Sequence, residues 1–194
     1  MEKHAKQNPQ LVVILTGCAL VLIFLFFGLK SSGESSLLPL LGEEEMRSGL
    51  PVRLTIPRIG VDAALESVGL TPEGAMDVPT GPANAAWFSP GPRPGEEGSA
   101  VIAGHYGWKD GLPAVFDDLS ALQKGDKIYI EDENGVLTAF VVRELRSYGE
   151  YEDAPEVFGS IDGKAHLNLV TCGGVWNKDS KSYAKRLVVF ADEV

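Results

Sequence analysis

The sequence predicts an all-β domain, built as a closed barrel or a sandwich, that follows one membrane-spanning helix. Three observations lead to this prediction. An uncharged apolar run lies near the amino terminus, many short apolar or alternating runs follow it, and Gly or Pro residues separate those runs. Short strands with frequent turn signals are typical of barrels and sandwiches. The 194 residues allow one globular domain with appendages.

The apolar run extends from Leu11 to Leu29 and contains no charged residue. As a helix it is long enough to cross roughly 30 Å of hydrocarbon. A cleaved signal peptide has a shorter apolar core followed by small residues, so we interpret the run as an uncleaved anchor. Lys3 and Lys6 precede the run and acidic residues follow it, which predicts a cytoplasmic amino terminus.

These features divide the chain into four segments. The residues after the anchor are first rich in Ser and Gly and then acidic, which is typical of a linker. The predicted segments are a cytoplasmic terminus at 1–10, a transmembrane helix at 11–29, a linker at 30–50 and an extracytoplasmic domain at 51–194. We therefore expect a single-pass protein of the cell membrane.

The charge balance excludes one class of partner. The chain has 27 acidic and 17 basic residues, which gives a formal net charge of −10 at pH 7. Because nucleic-acid binding depends on basic side chains that neutralise phosphates, we expect no nucleic-acid partner.

The first predicted strands of the outer domain follow from an alternating run and a short apolar run. Val52 to Ile56 alternates apolar and polar residues, and Pro57 ends it. Ser99 to Gly104 is an apolar run between glycines, which indicates a buried strand.

The second half of the domain contains a predicted hairpin and two further strands. Asn134-Gly135 is a strong turn signal, and the strands Lys127 to Asp132 and Leu137 to Arg146 flank it. His166 to Thr171 and Leu187 to Ala191 are short runs typical of buried strands. Helical signal is confined to two short stretches: Ala114 to Leu122 and Pro155 to Phe158.

Cys172 is the candidate nucleophile. The other cysteine, Cys18, lies in the predicted membrane helix, so Cys172 has no disulfide partner in the outer domain. A reactive cysteine needs a base or a cation nearby to form its thiolate. The alternative is an inert buried thiol, because cysteine also packs as a small hydrophobic residue.

Three histidines are available as partners for Cys172. His4 lies on the cytoplasmic side of the predicted helix, and His166 is about 20 Å away along the same straight strand at ~3.3 Å per residue. His105 remains. It follows the buried strand that ends at Gly104, where a side chain can emerge at a barrel rim. An ordinary surface histidine is the alternative.

Arg186 is the candidate cation, and it opens the last predicted strand. If that strand pairs with the one that ends at Cys172, the guanidinium can bind a substrate carbonyl or a tetrahedral oxyanion. A solvated surface charge is the alternative. Gly173 and Gly174 follow Cys172, so a substrate can approach closely, and N–H groups near Gly173 can face the oxyanion.

Three segments resemble motifs of the sortase family of membrane-anchored cysteine transpeptidases. Leu169-Val170-Thr171-Cys172 resembles the Leu-x-Thr-Cys motif of the nucleophile. Ala103-Gly104-His105 resembles the segment with the catalytic histidine, and Arg186-Leu187-Val188-Val189 resembles the segment with the arginine. The resemblance extends over about Val52 to Glu193, which is nearly the whole outer domain.

Four further segments are most similar to the class F branch of this family. They combine an aromatic pair, a Gly/Pro-rich turn, the strand before the histidine and the glycines after the cysteine: Trp87-Phe88, Gly91 to Gly95, Gly98 to His105, and Cys172-Gly173-Gly174.

The resemblance implies a closed eight-stranded β-barrel with short helices and a two-step acyl transfer. Cys172 would attack the Thr–Gly bond of a Leu-Pro-x-Thr-Gly-like (LPxTG-like) sorting signal and form a thioacyl intermediate. His105 would protonate the leaving amine and deprotonate the incoming one, while Arg186 would orient the substrate and stabilise the oxyanion. The implied partners are secreted proteins with that signal and a peptidoglycan precursor, or another amine, as acceptor. No cofactor is expected.

A Leu-Pro segment needs an apolar groove. The residues assigned to substrate binding are the candidate groove walls and the neighbours of the nucleophile: Val101, Val170, Trp176, Val188, Thr171 and Gly173. Each apolar side chain among them has a plain core position as its alternative. No metal site is expected, because four outer aspartates lack the spacing of a calcium loop: Asp77, Asp110, Asp117 and Asp118.

Two other functions fit the same predicted fold. In a hydrolytic cysteine protease, water would resolve the thioacyl-enzyme. In a non-catalytic, membrane-anchored binding barrel, Cys172 would be buried and inert. A peptidoglycan L,D-transpeptidase is disfavoured, because its Ser-His-Gly-Cys signature is absent.

Overall fold

The computed structural model describes residues 48–194, which form a closed barrel of eight strands. The strands are β1 (Pro51–Ile56), β2 (Val61–Val68), β3 (Ala85–Phe88), β4 (Gly98–Gly104), β5 (Lys127–Asp132), β6 (Leu137–Gly149), β7 (Ala165–Asn177) and β8 (Ser182–Glu193). Helical structure within this range consists of short 3-10 segments: Pro57–Ile59, Lys109–Gly111, Leu119–Ala121 and Pro155–Val157. The prediction of a mainly-β, eight-stranded barrel with short helices is confirmed.

The predicted transmembrane helix lies outside the described residues, as do the cytoplasmic terminus and most of the linker. Between residues 48 and 194, no helix has the length and apolar character needed to span a membrane.

The strand order brings the segments of the candidate site together. Around the barrel the order is β1-β2-β3-β4-β7-β8-β6-β5. β4 and β7 run parallel, whereas β7 and β8 run antiparallel. Parallel neighbours need a long connection, and here that connection includes the β5–β6 hairpin. β4, β7 and β8 therefore form one continuous wall.

The barrel interior is filled by apolar side chains from every strand, because alternate residues of each strand point inward. The inward residues of the wall are Ala100 and Ile102 in β4, Leu167 and Leu169 in β7, and Val189 and Ala191 in β8. Gly104 ends β4 at a place where a side chain would collide with the buried ring of Phe116.

A second apolar cluster lies on the outer face of the same wall. Its buried members are Val101, Tyr148, Val157, Val188 and Phe190. The 3-10 segment Pro155–Val157 lies against this face, and Asn168 Nδ2 donates a hydrogen bond of 2.7 Å to the carbonyl of Val157. Both faces of the wall are therefore covered, which explains why its strands read as nearly continuous apolar runs.

Two strands, β2 and β3, are absent from the sequence prediction. β2 contains alanines and charged residues, and β3 has only four residues. Neither has the run of β-branched residues that marks a strand. Their strand conformation therefore depends on pairing with strands that are distant in the sequence. The helical stretch expected at Ala114 to Leu122 is wrong in extent, since only Leu119–Ala121 forms a 3-10 segment.

The prediction that Cys172 ends its strand is also wrong. β7 continues to Asn177, and the register against β8 shifts between Gly173 and Trp176. Gly174 has a φ of 77°, which favours glycine, so the glycines form an irregularity within a hairpin instead of a terminal turn. Arg186 likewise lies inside β8, which begins at Ser182.

Candidate active site

A groove of about 610 Å³ opens on the outer face of the β4–β7–β8 wall. Cys172, His105 and Arg186 all line it. The other side chains around it are mainly apolar: Leu70, Ala75, Met76, Val78, Phe88, Phe158 and Val170. The groove therefore joins a potential nucleophile, base and cation to a surface that suits an apolar peptide.

Cys172 lies partly buried in β7 and is the free cysteine of the described range 48–194. In the antiparallel pairing of β7 with β8, Cys172 is directly opposite Arg186. Side chains of directly opposite residues share a face, with Cβ atoms about 4.5–5.5 Å apart. The backbone register alone therefore positions the guanidinium on the same face as the thiol.

His105 reaches the same face through the pairing of β4 with β7. The hydroxyl of Thr171 donates a hydrogen bond of 2.7 Å to the carbonyl of Gly104, which ties the two strands together where β4 ends. His105 and Cys172 are the next residues of their respective chains. Because Gly104 and Thr171 face inward, the alternation of side chains directs His105 and Cys172 outward.

The imidazole of His105 is held from two sides. Its Nε2 atom lies 2.9 Å from the carbonyl oxygen of Pro79. A carbonyl only accepts hydrogen bonds, so Nε2 carries a proton and Nδ1 is available for proton transfer. The ring of Trp108 packs edge-to-face against the imidazole, with ring centroids 4.6 Å apart. These contacts restrict the orientation of the ring.

Glu66 anchors the loop that contacts His105. Its carboxylate accepts hydrogen bonds from Thr80 N (3.1 Å), Thr80 Oγ1 (3.0 Å) and Asn84 Nδ2 (2.8 Å). The bond from Asn84, followed by the backbone bond from Thr80, holds the pKa of Glu66 below its ordinary value. Pro79 directly precedes Thr80, so this anionic anchor fixes the carbonyl that orients His105.

The guanidinium of Arg186 is oriented by the backbone and by one carboxylate. Nη1 donates to the carbonyls of Tyr183 (2.9 Å) and Lys185 (3.0 Å), and Nη2 lies 3.5 Å from Glu150 Oε1. Glu150 also accepts a hydrogen bond of 3.0 Å from the hydroxyl of Ser182. The Arg186 side chain is one-third exposed, at 33%. It therefore retains open surface toward the groove.

Two of the residues assigned to substrate binding line the groove, namely Val170 and Thr171. Thr171 is only 3% exposed and its hydroxyl is used in the bond to β4. Gly173 follows Cys172 in β7 but is not part of the groove lining.

The other three assigned residues lie elsewhere. Val101 and Val188 are buried in the outer-face cluster, 1% and 2% exposed, so they are core residues. Trp176 does not line the groove. The register shift before it turns the side chain toward Tyr183, where it is 47% exposed in a separate depression.

The loop between β2 and β3 supplies groove residues that the sequence reasoning missed. Leu70 and Met76 form an isolated antiparallel bridge, and Gly74 N donates to the Thr71 carbonyl at 2.9 Å. The Thr71-Pro72-Glu73-Gly74 segment is a recognisable turn signal that indicates this small hairpin. Nothing local indicates that the hairpin borders the groove.

His166 has a structural position, as its distance along the strand from Cys172 predicts. It is 6% exposed, with Nδ1 2.8 Å from Asp192 and Nε2 2.9 Å from Asp162. These contacts join β7, β8 and the turn before β7. His166 is not part of the groove lining.

Comparisons with known proteins agree with this architecture. The sortase domain family model matches residues 54–194. Sortase A of Bacillus anthracis is 33% identical over 100 residues, which is 50% of this chain and 41% of that protein. The chain thus matches about two fifths of the length of that relative.

Solved sortase structures share the fold. Sortase C1 of Streptococcus agalactiae, in its complex with MTSET, has a TM-score of 0.58 and 23% identity, covering 74% of this chain and 66% of that one. The lid mutant of sortase A from Corynebacterium diphtheriae has a TM-score of 0.59 and 19% identity, covering 84% and 82%. With the family model matching most of the sequence, the chain belongs to the sortase family of cysteine transpeptidases.

Proposed function

We propose that this protein is a transpeptidase that cleaves an LPxTG-like sorting signal between Thr and Gly and transfers the acyl group to a cell-wall precursor amine. The observation that carries the proposal is that Cys172 in β7, Arg186 in β8 and His105, which directly follows β4, all line one apolar groove. A thiol, an imidazole and a guanidinium are the groups needed for nucleophilic attack, proton transfer and oxyanion stabilisation.

In the first step, the deprotonated sulfur of Cys172 attacks the Thr carbonyl carbon, and the oxygen becomes an oxyanion. Arg186 stabilises that charge, since its guanidinium lies on the same face of the β7–β8 pair. The C–N bond then breaks as His105 gives its proton to the leaving amine. A thioacyl-enzyme remains.

In the second step, an incoming amine attacks the thioester carbonyl. His105, now neutral, accepts a proton from the attacking nitrogen, and the C–S bond breaks to restore the Cys172 thiolate. The product is a new amide. Water in place of the amine would give hydrolysis, and the ratio of the two products is itself measurable.

The groove supports a Leu-Pro-containing acyl donor. Its walls include Leu70, Met76, Val78 and Phe88, which present apolar surface close to the nucleophile. Phe158 packs edge-to-face against Phe88 with ring centroids 5.6 Å apart, so this end of the groove has a defined shape. Apolar binding of this kind orients the scissile bond and contributes to the rate through positioning.

We also propose a class F assignment and attachment to the outer side of the membrane through residues 11–29. The similarity of four segments to class F sequences supports the class assignment. Two of these segments contact each other, since Trp87 Nε1 donates a hydrogen bond of 3.1 Å to the carbonyl of Pro92. The uncharged run with its basic amino-terminal flank supports the attachment. Such an enzyme would meet exported proteins and membrane-bound precursors at the same surface.

The test uses the full chain, purified in detergent, with fluorescence-quenched Leu-Pro-x-Thr-Gly peptides and a primary amine. We expect cleavage between Thr and Gly, an amide product identified by mass spectrometry, and a loss of at least a thousandfold in kcat for Cys172→Ala. Val175→Ala, an exposed change three residues away, is the control. If no peptide with any residue at x is cleaved in a Cys172-dependent manner, the proposal is wrong.

The same products distinguish the competing functions. A free Thr carboxylate that dominates at high amine concentration would identify a hydrolytic protease. An unreactive Cys172 in the folded chain, with no cleavage, would identify a binding barrel.

A further inference from the structure

A second depression, of about 440 Å³, lies next to the reaction centre, and its lining is mainly aromatic. The residues around it are Gly107, Trp108, Lys109, Trp176 and Tyr183. The acyl-donor groove does not include any of them. We call this feature the aromatic depression.

The rings of Trp176 and Tyr183 in the aromatic depression, and that of the neighbouring Tyr106, pack edge-to-face. Trp176 and Tyr183 have ring centroids 5.0 Å apart, and Tyr106 and Tyr183 have centroids 5.3 Å apart. Trp176 is 47% exposed and Tyr106 is 37% exposed. Part of this aromatic surface therefore stays accessible, and the faces of aromatic rings carry the negative side of the quadrupole.

The depression and the groove share the residues that carry the proposed reaction. Trp108 packs against the imidazole of His105, with centroids 4.6 Å apart. Arg186 Nη1 donates a hydrogen bond of 2.9 Å to the carbonyl of Tyr183. Two residues that line the aromatic depression, Trp108 and Tyr183, therefore contact two residues that line the groove.

The chemistry of the depression favours a cation. Open aromatic faces attract ammonium groups within about 6 Å of the ring centre. The structure contains one such contact already, because Lys109 Nζ lies 5.8 Å from the centre of the Trp108 ring. The Asp117 carboxylate, which accepts a 2.6 Å hydrogen bond from Gly107 N, adds negative charge beside the rings.

The electrostatic surroundings of Tyr183 agree with this position. Burial raises the pKa of the Tyr183 hydroxyl above its ordinary value. Electrostatic interactions with Tyr106, Cys172 and Asp117 raise this pKa further. Tyr183 therefore stays neutral, and it lies within electrostatic range of the nucleophile.

We propose that the aromatic depression binds the ammonium group of the acyl acceptor beside His105. The inference rests on the proposed transpeptidase function and assigns its second substrate a site. Primary amines have pKa values near 10.4, so at neutral pH they arrive protonated. In this arrangement the acyl donor binds in the apolar groove, and the acceptor binds in the aromatic depression on the other side of His105 and Arg186.

The nitrogen of the acceptor must lose two protons during the reaction, one before it attacks and one as it attacks. The bound ammonium first releases one proton to water and becomes a neutral amine. As its nitrogen forms a bond to the thioester carbonyl carbon, a second proton passes to His105. The C–S bond then breaks with its electron pair on the sulfur of Cys172, which leaves an amide, a thiolate and an imidazolium.

The experiment measures the two steps separately, with the full chain in detergent, a cleavable Leu-Pro-x-Thr-Gly peptide and butylamine as the acceptor. For Trp176→Leu we expect the KM for butylamine to rise roughly fivefold to thirtyfold, with release of the first peptide product unchanged. For Lys109→Gln we expect that KM to fall, because a competing ammonium is removed. Val175→Ala, exposed on the same strand, should change neither value.

A binding measurement tests the site without turnover. Titration of the full chain with tetramethylammonium should quench tryptophan fluorescence saturably, whereas neopentyl alcohol, a neutral molecule of similar size, should not. Trp176→Leu should weaken this quenching. An unchanged butylamine KM in both variants, or the absence of saturable quenching, would overturn the inference. Failure of the proposed function is recognised separately, as the absence of the first peptide product.

Discussion

At the scale of single residues, Arg186 depends on Glu150 for its orientation. The carboxylate lies 3.5 Å from Nη2, and both side chains are partly buried, at 33% and 18% exposed. The remaining bonds to the guanidinium come from backbone carbonyls, which fix its position but carry no charge. Glu150 is therefore a positioning residue that acts through Arg186.

Glu150→Gln should lower kcat for peptide cleavage about threefold to fivefold, with little change in KM. A partly buried ion pair of this geometry is worth up to about 1 kcal/mol, and here it acts on Arg186, the group proposed to stabilise the oxyanion. The measurement is steady-state cleavage kinetics of the full chain. Glu193→Gln, at the exposed end of β8, is the matched control. Equal kinetics in the two variants would refute this role.

Residue type and chain position were sufficient to nominate the nucleophile, the base and the cation, but not Glu150. Cys172 is the one cysteine of the outer domain, and His105 is selected by excluding two other histidines. Glu150 has no such signal, because its contact with Arg186 arises from the pairing of Tyr148 with Arg186 between β6 and β8. That register is a property of the folded sheet.

At the scale of elements, the loop between β2 and β3 is as important to the site as the strands are. Its first part borders the groove through Leu70 and Met76, and its second part contacts His105 through the Pro79 carbonyl. Glu66, in β2, fixes the second part through three hydrogen bonds. A strand residue thereby helps to orient His105 without a direct hydrogen bond to it.

Glu66→Gln should lower kcat about threefold to tenfold, because loss of the charge weakens the bonds from Thr80 and Asn84 and loosens the Pro79 carbonyl. The peptide KM should change less, since the groove walls remain. Steady-state kinetics measure the changes in kcat and KM, and hydrogen exchange of the Thr80 amide measures the loosening of the loop. Glu73→Gln, at the exposed tip of the same loop, is the control. A change confined to KM would contradict this interpretation.

The elements that the sequence predicted best are those with a local signal. Asn134-Gly135 defined the β5–β6 hairpin, and the run ending at Gly104 defined β4. β2 and β3 lack such signals, since their side chains gain stability from neighbouring strands rather than from intrinsic preference. The continuation of β7 beyond Cys172 likewise depends on its pairing with β8.

At the scale of the whole domain, a network of polar contacts links β6, β7 and β8 at a place outside the groove. His166 contacts Asp162 and Asp192, and Arg143 Nη1 lies 2.6 Å from Asp192 Oδ1. The hydrogen bonds from His166 and then Ser160 hold the pKa of Asp162 well below its usual range.

Asp162 should contribute a component of acid sensitivity to the stability of the domain. Its carboxyl is protonated more readily in the unfolded chain, near pH 3.9, than in the folded one, so its stabilisation is present above that pH and is lost as the pH falls below it. Urea unfolding of the full chain between pH 5 and pH 2.5 measures this loss. Asp162→Asn should flatten the dependence, whereas Asp179→Asn, in the exposed β7–β8 connection, should not. Parallel curves for all three proteins would refute the prediction.

The sequence by itself determined an all-β barrel or sandwich and most strand positions, because these follow from hydrophobic periodicity and turn residues, and scarcity singled out Cys172 and His105. The resemblance to the sortase family narrowed the fold to a closed barrel and supported Arg186 as the cation. Only the tertiary structure decided which residues surround these three side chains. Thr171 and Gly104 are 67 residues apart, yet their hydrogen bond brings the neighbouring residues Cys172 and His105 to the same place on the wall. Such pairings are selected by burial over the whole barrel, so Glu150, the β2–β3 loop and the aromatic depression have no local sequence signal that assigns them to the site.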